Sequence, residues 1–183
     1  MSILSRPAVI NVRVALKQAG LKDSVMELAE TAKTAADAAL ALNCPPGAIV
    51  KSLVFVIDRK MVMALVAGDH QCVMEHLPAA FNIKGNVRKA NAGEVKDITG
   101  FTIGGVAPVG LSNPLPVVID RSLKRFDALY AAAGHPHAVF QVSFLELKRL
   151  TGGIVSLNIA KPDQGVEVEP LPVKRTATFL SSR

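Results

Sequence analysis

The sequence predicts an α/β (α+β) domain: a mixed, largely antiparallel, barrel-like β-sheet surrounded by short helices. Three observations predict it. Two dense β-branched runs, residues 49–57 and 61–67, are joined by the short link Asp58-Arg59-Lys60, the pattern of an antiparallel hairpin. Further strand-like runs alternate irregularly with short helical stretches, unlike the regular repeat of a doubly wound sheet. Helix starts are marked by capping boxes at Thr34 to Asp37 and Ser143 to Glu146, and Asn91 to Glu94 can cap another.

In chain order, residues 6–19 read as a helix, with Ser5 as its cap, Pro7 in its first turn and Gly20 past its end. Val9, Val12 and Leu16 form one apolar stripe, and Ile10 with Val14 widens it to a core-facing side. Residues 25–28 form a short strand. The Thr34 helix ends near Asn43, where Pro45-Pro46-Gly47 turns the chain into the hairpin. Residues 71–81 read as a helix, and Asn91 opens a short one. Residues 117–120, 128–132 and 138–142 are further strands. The Ser143 helix stops at Gly152-Gly153. Residues 1–160 are expected to form one domain, and residues 161–183, with three prolines and mixed charges, a loosely packed or disordered C-terminal tail.

Composition bounds the function. The chain has 183 residues, half of them hydrophobic and 20% charged, enough for one well-cored globular domain. With no Trp, one Tyr and seven Phe, it is poorly equipped to stack several unpaired bases on its surface. The net charge of +6 favours a polyanion such as RNA. Arg121, Lys124 and Arg125, or Lys84, Arg88 and Lys89, either meet phosphates or are solvated faces. Cys44 and Cys72 read as reduced, structural thiols of a cytoplasmic protein. Arg6, Asn11 and Arg13 break up any signal sequence, and no apolar run nears the ~20 residues that span a bilayer, so no membrane partner is expected.

Two features can carry chemistry. On an extended strand Lys51 shares a side with Leu53, Phe55 and Ile57, while Val50, Ser52, Val54 and Val56 share the other. Both sides are apolar, so the lysine either snorkels into water or points into a pocket needing positive charge. The segment Gly104-Gly105-Val106-Ala107-Pro108-Val109-Gly110 is either a tight connection or a loop presenting backbone N–H groups to a carbonyl or phosphate oxygen. It is neither a P-loop nor a dinucleotide fingerprint.

These features stand in a recognisable order. Thr31 to Ala39, Pro46 to Phe55, Gly105-x-x-Pro108-x-Gly110, Val117 to Asp120 and Ala133-Gly134-His135 follow one another as in the YbaK family, the prolyl-tRNA synthetase-associated editing domains, which the chain resembles over roughly residues 5–155. The resemblance implies a freestanding aminoacyl-tRNA deacylase with a barrel-like mixed sheet. Its substrate would be mischarged tRNA, expected to be tRNA(Pro) carrying a wrong small amino acid, bound by its 3′ end with or without a synthetase partner. The family's strand lysine falls on Lys51 and its glycine-proline loop on Gly105, Pro108 and Gly110, giving the catalytic set. Thr31, Ser52, Gly104, Val106, Ala107, Gly134 and His135 fall at substrate-binding positions. In related proteins the terminal ribose hydroxyl assists the attacking water, so no side-chain base is assigned.

His70, Cys72 and His76, or His135 with His137, match no strong zinc spacing, so neither metal nor cofactor is expected. Ser143 reads as a cap rather than a nucleophile, and Cys44 has no histidine near it in sequence. The alternatives are a non-catalytic tRNA- or synthetase-binding module with the same fold, and a metal-dependent hydrolase.

Overall fold

The computed structural model describes residues 2–28 and 34–164. Among the described residues the strands are β1 (Val25–Glu27), β2 (Ile49–Ile57), β3 (Lys60–Ala67), β4 (His70–Cys72), β5 (Val87–Lys89), β6 (Val117–Asp120), β7 (Leu129–His135), β8 (Ala138–Val142), β9 (Ile154–Ser156) and β10 (Ala160–Pro162). The α-helices are α1 (Pro7–Gln18), α2 (Ala35–Leu42), α3 (Leu77–Ala80), α4 (Ala92–Thr99) and α5 (Phe144–Thr151). One sheet runs β1-β8-β7-β2-β3-β6-β9, with β5 added beside β2, and β10 pairs with β4 in a separate ribbon. Pairing is antiparallel except β2 with β7, β3 with β6 and β6 with β9. The sheet curls into a half-barrel, as the hairpin and irregular alternation predicted.

The local signals produce the elements they should. Thr34, Asn91 and Ser143 each accept a hydrogen bond from the backbone N–H three residues on, and Asp37, Glu94 and Glu146 reach back to close the box. Asn43, Gly100 and Gly152 end their helices in the left-handed region.

Three local expectations are corrected. Arg6, not Ser5, precedes α1, and it caps without a side-chain bond; the Ser5 hydroxyl donates to the Ser2 carbonyl at 2.7 Å. Ile10 and Val14 are 42% and 46% exposed, so only Val9, Val12 and Leu16 form the buried stripe of α1. Residues 71–81 are not one helix. His70–Cys72 pair with β10, and α3 begins only at Leu77, with Pro78 in its first turn. A proline mid-helix would remove a hydrogen bond and clash with the preceding turn, so long-range pairing takes the first residues instead. Ala160–Pro162, at the expected domain–tail junction, supply β10, and residues 165–183 lie outside the described residues.

The core forms on both sides of the β2–β3 hairpin. Val50 and Val54 face the side packed with Val9, Val12, Leu16, Val95 and Phe101. Phe55, Ile57, Val62 and Val66 face the other, with Leu77 and Ile159. Strand alternation therefore sends Lys51 to the second side and Ser52 to the first.

Gly134 has φ +86°, and a Cβ there would lie 2.6 Å from the Ala8 carbonyl oxygen on α1. Left-handed backbone costs a side chain ~1–2 kcal/mol, and overpacking adds ~1–3 kcal/mol. Gly134→Ala is expected to lose about 3 kcal/mol, a melting temperature drop of roughly 6–12 °C for a chain of this size. Gly20→Ala, with φ +72° but open space around it, should lose only about 1 kcal/mol. Equal losses in thermal unfolding would show that close packing on α1 is not what Gly134 serves.

Candidate functional site

A break in the sheet creates the site. β2 pairs with β7 only at Ile49 and Val50, and with β5 only from Phe55 to Ile57. The Ala90 N–H donates to the Val54 carbonyl, so the peptide groups of Val54 face away from β3. Backbone direction repeats every second residue, so the N–H and C=O of Ser52 also face away from β3, into the gap between β7 and β5. The Ser52 hydroxyl is sealed from solvent and has no hydrogen-bond partner among the described residues. At this gap opens a cavity of about 1010 Å³, the upper range for small-ligand sites.

Lys51 is half-buried in this cavity, and its Nζ donates to the His70 carbonyl at the start of β4. Burial pushes its pKa below the ordinary lysine value, and the charges of Asp163, Asp69, Cys72 and Asp120 offset part of that. The amine thus has one fixed acceptor and further donor capacity, since an ammonium carries three protons.

Behind His70 lies a buried ionic cluster. Asp69, 4% exposed, receives both arms of Arg125, at 2.9 and 2.7 Å, and stands 2.7 Å from His70 Nδ1. Burial alone would raise the Asp69 carboxyl; hydrogen bonds from Arg125 and His70 outweigh it and hold the group below its usual value. Asp120, also 4% exposed, accepts from the Ala67 and Ser122 N–H groups. Together these carboxylates fix the β3–β4 turn, and with it the carbonyl that holds Lys51. Sequence reasoning missed this cluster. It grouped Arg125 with Arg121 and Lys124 as a basic face, whereas Arg125 turns inward and Lys124 lies 5.2 Å over the Phe144 ring.

The glycine loop divides between two cavities. Gly104 and Val106 line the Lys51 cavity, as do Ser52, Ala132 and Pro136. A Cβ on Gly105 would lie 2.8 Å from the His135 backbone, so the loop presses directly on β7. The Gly105 N–H is spent on the Thr102 carbonyl at 3.0 Å. The amides of Val106 and Ala107, both buried, have no acceptor among the described residues. Pro108 and Gly110 instead line a second cavity of about 580 Å³ against α1 and α5, Gly110 with φ +71° beside Asn11. Gly134 packs on α1, and His135 Nδ1 accepts from the His137 N–H at 3.1 Å. Burial, Arg6 and His137 lower the His135 pKa. Thr31 lies outside the described residues.

His70 and His76 have other partners, Asp69 and the Asn158 carbonyl. Among the described residues no three His, Cys, Asp or Glu side chains gather around a common point, and no helix is long and apolar enough to cross a membrane.

The profile of a family described as the aminoacyl-tRNA editing domain matches residues 29–150. The Bacillus subtilis protein YwhH is 30% identical over 152 residues, covering 82% of this chain and 96% of that one. A proline–tRNA ligase of Lactobacillus helveticus is 28% identical over 138 residues, covering 75% of this chain but only 24% of the ligase. A solved structure described as a candidate trans-editing enzyme for prolyl-tRNA synthetase is 37% identical, with TM-score 0.78, covering 83% of this chain and 96% of that one.

Removing one partner of a buried ion pair strands the other charge, which costs ~3–5 kcal/mol. Arg125→Met is expected to lose about 3 kcal/mol at pH 7, because Arg125 itself is partly exposed. The sign with pH follows from Asp69. Its folded pKa is depressed, so its stabilisation is present above the unfolded value near ~4 and is lost as pH falls through the folded value. Without Arg125, burial favours the protonated form, and the variant's deficit should narrow on acidification. Urea midpoints at pH 7 and about pH 4 check this; an equal deficit at both would refute the charge argument.

Proposed function

The chain belongs to the aminoacyl-tRNA editing domain family, and on that premise we propose that it hydrolyses the ester of mischarged tRNA, acting in trans. The single observation that supports this reading is the cavity at the break beside β2, lined both by Lys51 and by Val106, whose backbone amide has no acceptor among the described residues.

Lys51 anchors the 3′-terminal adenosine through its phosphate or ribose oxygens, held in place by the His70 carbonyl. The amide of Val106, which lines the cavity and has no acceptor among the described residues, receives the acyl carbonyl and the negative charge that develops on it. Ala107, fully buried and outside the cavity lining, supports the loop behind it. Water adds to that carbonyl, the bond to the ribose oxygen breaks, and the products are free amino acid and tRNA with its terminal hydroxyl restored. The ester is already activated, so positioning and charge stabilisation replace a side-chain base, with the neighbouring ribose hydroxyl assisting the water. Gly105, Pro108 and Gly110 act through the shape of the loop, and Gly134 with His135 form the wall it rests on. Ser52 lines the cavity, and its sealed, unpartnered hydroxyl would reach a substrate only after its side chain turns toward the cavity.

Near the glycine loop the cavity lining includes the small or short residues Gly104, Val106 and Ala138, with Ile103 and Pro136 beside them. That suits a small amino acid, and tRNA(Pro) charged in error with one is the proposed substrate. One methylene gives a synthetase only ~1–3 kcal/mol of discrimination, which is the reason for a second, hydrolytic pocket.

The test is release of label from tRNA(Pro) carrying alanine, serine, threonine, cysteine or 2-aminobutyrate. At least one species should lose its amino acid faster than in buffer. Lys51→Ala should reduce kcat/KM about ten- to a hundredfold, the worth of a charge-assisted hydrogen bond. If no species is deacylated above background, a non-catalytic binding module replaces the enzyme. Full activity in Lys51→Ala would remove the lysine from the site while leaving the function standing.

A further inference from the structure

The cavity is asymmetric in charge, and β2 is the divide. On the side shared by Ser52 its lining includes Val50, Val54, Val95 and Val106, none of them charged. On the side of Lys51, strand register brings in further ammonium groups. Lys89 of β5 pairs directly with Phe55 of β2, and opposite residues project to the same face, which is the face of Lys51. Lys51 and Lys89 both act on the Cys72 thiol, pulling its pKa down against the dominant effect of burial, which places both charges near β4. Lys161 of β10, opposite Gln71 of β4, lines the same cavity. The neighbouring Arg88 is committed elsewhere, gripping Glu94 with both arms at 2.8 and 2.7 Å. Lys89 and Lys161 have no ion pair among the described residues, and Glu75 is the one carboxylate lining the cavity with them.

We infer that Lys89 and Lys161 form a phosphodiester track that receives the single-stranded 3′ end of an RNA just before its terminal nucleotide, with Lys51 at the track's inner end. This rests on the editing reading and deepens it by giving the substrate a direction: backbone phosphates along the lysine side of β2, acyl group on the Gly104–Val106 side. Its chemistry is phosphate neutralisation without base readout, consistent with the scarcity of aromatic residues for stacking.

The experiment measures binding of uncharged tRNA, so that it does not depend on hydrolysis. Fluorescence anisotropy across a salt series would use intact tRNA(Pro) and the same tRNA lacking its last three nucleotides. For the intact tRNA, the double variant Lys89→Ala/Lys161→Ala should bind about tenfold more weakly at ~0.1 M salt, with the slope of log K against log salt shallower by about 1.4, two single-strand contacts' worth. Lys89→Arg/Lys161→Arg should restore both, and truncation of the tRNA should abolish the difference between wild type and the alanine variant. An unaltered slope, or a loss that persists with the truncated tRNA, would overturn the track. The deacylation assay fails independently: normal hydrolysis with no change in slope sinks the track alone, while a lysine-dependent slope without hydrolysis sinks the enzyme alone.

Discussion

A strand buried on both faces must satisfy its peptide groups through its edges, because an unpaired buried amide or carbonyl costs ~1–3 kcal/mol. β2 meets this demand with β3 along one edge for eight residues, but on the other edge its partners are short and come from different places. β7 covers the beginning, β5 the end, and Ser52 falls between them. The cavity, and the place of Ser52 and Lys51 in its lining, follow from that interrupted ladder. The site is a gap left in the hydrogen bonding of the sheet, edged by residues that would otherwise have been core.

The gap needs a frame that does not relax, and buried charge supplies it. Asp69 and Asp120 tie the turn between β3 and β4 to the segment after β6, through Arg125, Ser122 and the Ala67 N–H. The Lys51 ammonium then bonds to a carbonyl on that same turn. Burial lowers the pKa of that amine, the charges of Asp163, Asp69, Cys72 and Asp120 offset part of the shift, and the amine keeps donor capacity beyond its bond to the His70 carbonyl. Against the opposite wall, glycines at 105 and 134 let the loop, β7 and α1 approach more closely than any side chain would permit. One wall is therefore set by electrostatics and the other by the absence of side chains.

Much of the fold was legible because its signals are short-ranged. Each capping box spans four residues, the β2–β3 hairpin turns over three, and the alternation in β2 assigned Lys51 and Ser52 to opposite faces. The alternation also left Lys51 with two readings, snorkelling or pocket-facing, and the His70 carbonyl decided between them. The glycine-proline loop was recognised as a unit, yet its two halves line different cavities, because a rigid loop buried on both sides has two neighbours. Arg125 read as surface charge since nothing nearby in sequence suggests a carboxylate 56 positions away.

By itself the sequence determined the capped helix starts at Thr34, Asn91 and Ser143, the central hairpin and the two faces of β2. These depend on energies that act within a few residues of one another. The tertiary structure alone decided that residues 70–72 pair with 160–162 rather than coil, that the ladder breaks at Ser52, and that three lysines from separate strands share one side of the cavity. Those outcomes depend on which distant backbone groups find each other, and a pairing across some ninety residues leaves no periodic trace in either segment.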